Sequence, residues 1–202
     1  LSNTHIDIID LEKPVVQIGE GKKTMSLQID QRDKYVRRIF NNNRWDRGGR
    51  FYGGWWHRCP KNYRERISLD DIPGFEVDFS GLHIVILYAQ AGINYWAEVN
   101  EDPYLLHGIE NIDGRIDLRT SAKLLMLTAI NADTEEEAFG AFRKQASKGS
   151  LEKRLTNAQL GNLLSKLKEK HEPIAHKFAS GEGIKLMYVD SQITEKLIEK
   201  FT

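Results

Sequence analysis

The sequence predicts an α+β fold: a small antiparallel sheet joined to a mostly helical part. Three observations carry the prediction. Phe75-Glu76-Val77 reads as a short strand that delivers Asp78 at its end. Ser80-Gly81 then turn the chain into Leu82–Ala91, where Leu82, Val85, Ile86 and Ala89 have helical spacing. Helical patterns recur at 115–130, 134–147 and 157–171. Finally, IKLMYV at 184–189 comes after a Gly181-Glu182-Gly183 turn and reads as a second strand of the sheet. The expected divisions are an N-terminal extension (1–30), a first sheet-bearing part (31–99), a helical part (100–172) and a return to the sheet (173–202).

Taken in order, HIDIIDL alternates and Val15-Val16 is a short apolar run, broken by Gly19 and Gly21, so two extended segments are expected in 1–30. Residues 31–44 read as a helix with Tyr35, Val36, Ile39 and Phe40 on one stripe, ended by Asn41-Asn42-Asn43, since asparagine tolerates left-handed dihedrals. Residues 67–74 read as a turn punctuated by Pro73-Gly74. Residues 93–118 are an acidic, loop-rich stretch that includes Glu98, Glu101, Asp102, Glu110 and Asp113. In the helix at 115–130, Arg119 and Lys123 lie four apart and share a face, with Leu124, Leu125, Leu127 and Ile130 covering most of the rest. Thr134 and Glu137 fit a capping box, which makes Glu135-Glu136-Glu137 a structural feature of a helix N-terminus. Asn157–His171 is amphipathic, and His171 and His176, with no third ligand nearby, read as exposed. Asp190 or Ser191 is expected to cap a last helix bearing Ile193, Leu197, Ile198 and Phe201.

The 202 residues are 40% hydrophobic and 29% charged, an ordinary globular composition. No apolar run approaches the roughly 18 residues of a membrane span, and no signal peptide is evident. The single cysteine, Cys59, excludes an internal disulfide and a four-cysteine zinc site, and makes a reducing, cytoplasmic setting the expectation. The chain begins at Leu1 and stops at Thr202 within a helical pattern, which suggests a piece of a longer chain.

A formal net charge of zero argues against a general polyanion binder, but the charges are segregated. Between Gln31 and Arg66 there are eleven Lys or Arg and three acids, +8, against −8 elsewhere. This segment contains WDRGGRFYGGWWHRC, with glycine pairs at 48–49 and 53–54 among Arg47, Arg50, Tyr52 and Arg58. Guanidinium groups that fork onto phosphates, and rings that stack on bases, suit a nucleic-acid strand. Trp55 and Trp56 read equally well as the core of a hairpin. Arg119 and Lys123 could grip a triphosphate, or could simply be surface cations on an amphipathic helix.

The order GGRFYGG, EVDFSGLHIVILYA, RTSAK resembles that of family A DNA polymerases and, more distantly, of the single-subunit phage RNA polymerases. The resemblance covers roughly residues 45–130 and extends more weakly over 173–202. It implies a palm sheet with a helical fingers insertion, magnesium as cofactor, and a DNA primer-template and deoxynucleoside triphosphates as partners. Asp78 takes the place of the palm aspartate that binds both metal ions, with the Phe79 carbonyl beside it. Arg119 and Lys123 match the fingers-helix pair that grips nucleotide phosphates. Arg50 matches the arginine at the primer-end minor groove, and His83 stands where the sugar is sensed. The family's fingers helix continues with aromatic residues, where this chain has Leu127 and Asn131. The family's second metal-binding carboxylate would fall past Phe201, so these residues alone are expected to be inactive. Two other readings stay open: a polymerase-like protein that binds nucleic acid without catalysis, and a metal-dependent nuclease using Asp78 with Glu76 or Glu98.

Overall fold

The structure is a computed structural model and describes residues 3–19, 24–109 and 112–201. Leu1, Gly21, Glu110 and Thr202, and the side chain of Phe201, lie outside the described residues. Two compact units emerge, Leu1–Ser80 with Ser191–Thr202, and Gly81–Asp190. Small antiparallel sheets in the first and a helical second unit make the chain α+β, as expected.

In the first unit, β1 (Ile6–Ile8) pairs with β6 (Ile67–Leu69), and β6 with β7 (Ile72–Pro73), all antiparallel. β2 (Val15–Ile18) pairs with β3 (Met25–Gln28), and β4 (Arg37–Phe40) with β5 (Gly48–Tyr52). A single turn of helix, α1 (Lys61–Arg64), precedes β6. The alternation in HIDII places Ile6 and Ile8 inward, where they join Val16, Leu27, Ile29, Trp55 and Cys59 in one core. Trp55 is fully buried, so for this tryptophan the core reading holds.

The turn expected at 67–74 is a complete hairpin: Asp70 and Asp71 both take positive φ (49° and 63°), as a two-residue loop between twisted strands requires. The helix expected at 31–44 is also absent, and β4 lies there instead. Its residues obey period two: Arg37 and Ile39 face one way, Arg38 and Phe40 the other. The stripe Tyr35, Val36, Ile39, Phe40 fits a helix on paper, but these are β-branched and aromatic residues, and the facing strand decides the outcome. Asn42 and Asn43 do take left-handed φ (55° and 53°), ending a strand rather than a helix.

The inward face of the β4–β5 ribbon is organised by Arg38. Its guanidinium lies 4.9 Å from the Phe40 ring centroid and 5.5 Å from that of Phe51. It donates to the Gly49 carbonyl (3.0 Å), to Ser191 Oγ (2.8 Å) and to Glu195 (2.9 Å). Gly48 and Gly49 (φ 70° and 78°) sit where the ladder slips register beside Phe40. All four glycines of the two pairs have positive φ, which makes their role here conformational.

The second unit is built from α2 (Leu82–Gln90), a π turn (Tyr95–Val99), α3 (Leu118–Asn131), α4 (Glu135–Gln145), α5 (Asn157–Lys170) and the start of α6 (Gly183–Phe201). α3 packs against α4 and α5. Leu125, Met126 and Ile130 of α3, Phe139 and Phe142 of α4, and Leu160, Leu163, Leu164 and Leu167 of α5 are buried. The expected Thr134 cap forms, accepting from the Glu137 N–H at 3.2 Å, while the Glu137 carboxylate reaches one residue further back, to the Asp133 N–H. A complete capping box forms instead at Thr156 and Gln159. α2 forms as expected but is rotated, burying Ile84, Ile86, Leu87 and Tyr88.

The strand expected at 184–189 is helical, and Asp190 and Ser191 lie inside the helix rather than at its cap. A six-residue apolar run fits either state when read alone. Read onward, Ile184, Met187, Ser191, Glu195 and Ile198 recur every three or four residues, and each is buried or half-buried. α6 therefore runs unbroken through the expected break.

Substituting Gly49→Ala should cost about 1–3 kcal/mol. An alanine Cβ there would lie 2.9 Å from Ser191 Oγ and 3.0 Å from the Phe40 ring at a φ of +78°. Gly92→Ala has the same φ with nothing within 4 Å, and should cost less. Urea unfolding of the two variants provides the comparison.

Candidate functional site

In the first unit, residues 74–79 belong to no strand, and the strand expected to deliver Asp78 is not formed. The last ladder bond is Gly74 N–H to the Ile67 carbonyl (2.8 Å). Beyond it Phe75, Val77 and Phe79 are 93%, 85% and 50% exposed. A two-faced strand needs a neighbour to complete its ladder, and no described strand supplies one. Glu76 meets Arg64 at 3.3 Å. Asp78 is exposed, and no hydrogen bond or ion pair engages it among the described residues.

On the β4–β5 ribbon, pairing sets Arg37 opposite Tyr52 and Ile39 opposite Arg50, so these four share the outward face. Tyr35 (57% exposed) precedes it and Trp45 (80% exposed) stands at the connecting loop, its ring 4.8 Å from that of Phe40. Arg50 and Tyr52 are thus brought together. Arg47 and Arg58 are engaged elsewhere. Arg47 donates to the Asp46 carbonyl (3.1 Å) and carboxylate (3.3 Å), and Arg58 to Asp33 (2.9 Å). The Arg44 guanidinium also grips Asp46 and holds its carboxyl below the usual carboxylate range.

In the second unit, Arg119 and Lys123 do share one exposed face of α3. Asp117 caps this helix, its side chain accepting from the Thr120 N–H (3.1 Å). Both cations lie against a residue that sequence reasoning did not single out. Arg119 Cζ is 5.9 Å and Lys123 Nζ 5.8 Å from the ring centroid of Tyr104. Arg119 Nε also donates to Asp102 at 2.6 Å. This hydrogen bond and the charge of Asp102 raise the guanidinium's pKa further. Burial raises the Tyr104 phenol, as does the neighbouring Asp102 carboxylate. Leu127 stands one turn further along the helix, 43% exposed. A cavity of about 370 Å³ opens beside Lys123 and Leu127, lined also by Thr120, Ser121 and Ser150. His83 is half-buried in the first turn of α2, after Gly81 in left-handed conformation (φ 61°).

The loop that supplies Asp102 and Tyr104 is anchored from beneath. His171, expected to be exposed, has no exposed surface. Its Nε2 lies 2.8 Å from the Pro103 carbonyl and its Nδ1 3.0 Å from the Tyr88 hydroxyl. A neutral imidazole satisfies both, donating from Nε2 and accepting at Nδ1. Tyr95 donates to the Glu101 carbonyl (3.0 Å), and Lys170 meets the Glu101 carboxylate (3.0 Å). The signal for His171 was present: it continues the buried stripe of α5 four residues after Leu167. Nothing comparable marks Tyr104, whose ring's cation partners, Arg119 and Lys123, lie fifteen or more residues along the chain. His176 is exposed, as expected.

Among the described residues, no three His, Cys, Asp or Glu side chains are grouped to hold a metal ion. Asp78 and the adjacent Phe79 carbonyl could offer one carboxylate and one carbonyl, a set magnesium accepts when substrate oxygens and water complete it. Among the described residues no helix is long and apolar enough to cross a membrane. Comparison with protein-family models, with curated proteins and with solved structures finds no match to this chain.

Burial lowers the pKa of His171 from its ordinary 6.5, with Lys170 adding to the effect and the Pro103 hydrogen bond and Glu101 opposing it. The unfolded chain therefore binds a proton that the native state refuses. The stability contributed by the neutral imidazole is complete above pH 6.5 and is lost as pH falls from there toward the depressed native pKa. The slope is at most about 1.4 kcal/mol per pH unit. Urea midpoints measured between pH 7.5 and pH 5 should fall for the natural protein. For His171→Phe they should fall less.

Proposed function

We propose that the chain is the palm and fingers portion of a template-directed DNA polymerase, acting on a primer-template with deoxynucleoside triphosphates and magnesium. The observation that carries this reading is the α3 face, on which Arg119 and Lys123 stand one turn apart at the Tyr104 ring. Phosphoryl transfer asks a protein mainly to position charged oxygens and neutralise them. Two cations on a rigid helix can do that for the phosphates of an incoming nucleotide. A polyphosphate carries more charge than the single carboxylate of Asp102 and would compete with it for Arg119. Leu127 offers a base an apolar surface rather than a stacking ring, and His83 takes the sugar-sensing role. In the first unit, Asp78 would hold magnesium through its carboxylate and Phe79 through its carbonyl. The metal, when bound, neutralises phosphoryl oxygens and lowers the pKa of the attacking hydroxyl.

A second reading, nucleic-acid binding without catalysis, is favoured by the β4–β5 ribbon. Its outward face interleaves Arg37 and Arg50 with Tyr52, and Tyr35 is exposed beside it. Guanidinium groups would track the phosphates and the rings would stack on bases.

In the complete gene product, Asp78→Asn should reduce magnesium-dependent primer extension on the order of a thousandfold while leaving DNA affinity nearly unchanged. Lys123→Ala should reduce it about a hundredfold. Extension that persists in Asp78→Asn rejects the catalytic assignment.

For the ribbon, the logarithm of the DNA association constant should fall linearly with the logarithm of salt concentration, by about 0.7 per phosphate neutralised on single strands. Tyr52→Ala should weaken single-strand binding by about 1–3 kcal/mol if a base stacks there. A slope near zero rejects both readings.

A further inference from the structure

We infer that Trp45, in the loop connecting β4 and β5, is a stacking platform for an unpaired nucleobase, so that the ribbon takes single-stranded nucleic acid in preference to duplex. The inference rests on the nucleic-acid reading of the ribbon, and it names the form of nucleic acid and the residue that selects it. The exposure of Trp45 is the starting observation. A tryptophan ring gains more from burial than almost any other side chain, yet this one is 80% exposed. Trp55 of the same unit is fully buried in the core, so burial was open to an indole in this part of the chain.

The indole is mounted on one side. It meets Phe40 edge-on, with ring centroids 4.8 Å apart and planes at 72°. Phe40 is itself held by the Arg38 guanidinium at 4.9 Å and packs against Gly49, where an alanine Cβ would come 3.0 Å from its ring. The loop backbone is closed by hydrogen bonds from the Asn41 N–H to the Arg47 carbonyl (2.9 Å) and from the Arg44 N–H to the Asn41 carbonyl (3.1 Å). The arginines on either side of the indole both turn to Asp46, Arg44 at 2.8 Å and Arg47 at 3.3 Å. Little of this loop is left to be ordered when a ligand arrives, which favours binding. An edge-on contact with a single ring leaves most of the indole surface uncovered, and a flat partner can lie on it.

Charge selects the occupant. Residues 31–66 carry a net +8. Arg37 is exposed, and its side chain makes no hydrogen bond or ion pair among the described residues. A polyanion that also bears flat rings complements both the cation and the indole. A membrane surface does not: Trp45 is the single apolar residue between Asn41 and Arg47, and inserting it would draw Arg44, Asp46 and Arg47 toward hydrocarbon. Phe40 belongs to the face opposite Arg37, so the indole stands at the end of the ribbon. From the Arg37–Tyr52 pair to the Phe40–Gly48 pair is three residue steps, about 10 Å or roughly three stacked nucleotides. A strand tracked by Arg37 therefore reaches the end of the ribbon within a few nucleotides, and a base leaving the stack there can cover the indole. A duplex keeps its bases paired and stacked on both faces, and has none to offer.

Three fluorescein-labelled probes test this by anisotropy: a thymidine strand of about 12 nucleotides, within the usual range of single-strand sites, an abasic strand with the same number of phosphates, and a blunt duplex. The natural protein should bind the thymidine strand more tightly than the other two. Trp45→Ala should weaken binding of the thymidine strand about tenfold. It should change binding of the abasic strand and the duplex less than about twofold and leave the salt slope unaltered, because the phosphate contacts remain. Trp45→Phe, which keeps a ring, should retain most of the affinity, and circular dichroism should show both variants folded. Equal weakening on the thymidine and abasic strands overturns the proposal, by making the role of Trp45 structural. Undiminished binding of the thymidine strand by Trp45→Ala also overturns it and leaves the nucleic-acid reading standing. If the natural protein binds none of the three probes, that underlying reading falls and the inference falls with it. Binding to vesicles of phosphatidylcholine and phosphatidylglycerol that Trp45→Ala abolishes overturns it in favour of a membrane surface.

Discussion

A neutral imidazole sealed from water is the interaction on which the second unit depends. His171 closes α5 and ties it to α2 through Tyr88 and to the loop at 101–104 through the Pro103 carbonyl. Both bonds are made in a low-dielectric interior, where an unpaired polar group would be costly. Because Pro103 is fixed, its neighbours Asp102 and Tyr104 are fixed too, and these are the groups that meet Arg119 and Lys123. The exposed cations of α3 are thus oriented by a contact one layer beneath them. A histidine that touches no solvent helps set the geometry of a surface that any ligand would meet.

The first unit has a counterpart in Arg38. A guanidinium placed between two aromatic rings, a backbone carbonyl and Glu195 joins the β4–β5 ribbon to the last turns of α6. With one arginine of the basic segment held inward, Arg37 and Arg50 lie on the ribbon's other face by strand alternation. The excess of positive charge in residues 31–66 therefore has several structural fates. Arg38, Arg44, Arg47 and Arg58 serve internal partners, and the outward face of the ribbon carries a smaller share than the raw count suggests.

The stretch around Asp78 reads as a strand because it alternates, yet alternation specifies only that a strand could form there. Forming one takes a neighbouring backbone and a surface on which to bury Phe75, Val77 and Phe79. Neither is provided by the described residues, so the apolar pattern remains at the surface. Residues 184–189 mislead for the opposite reason. Six apolar residues in isolation fit a strand, and the three-to-four-residue recurrence that makes α6 helical becomes visible only over its whole length. In both places a short window cannot decide between states that differ by longer-range terms.

Local chemistry was legible in the sequence itself. The helices at α2, α3, α4 and α5, the Thr134 cap, the left-handed asparagines after Phe40 and the shared face of Arg119 and Lys123 all depend on contacts within about one or two turns of chain. What tertiary structure alone decided was every pairing between distant residues. It made β4 a strand, closed the β6–β7 hairpin against β1, buried His171, and set Tyr104 and Asp102 beside the cations of α3. Those outcomes turn on which surfaces meet, and burial and hydrogen-bond satisfaction are properties of two partners that no single stretch of sequence contains.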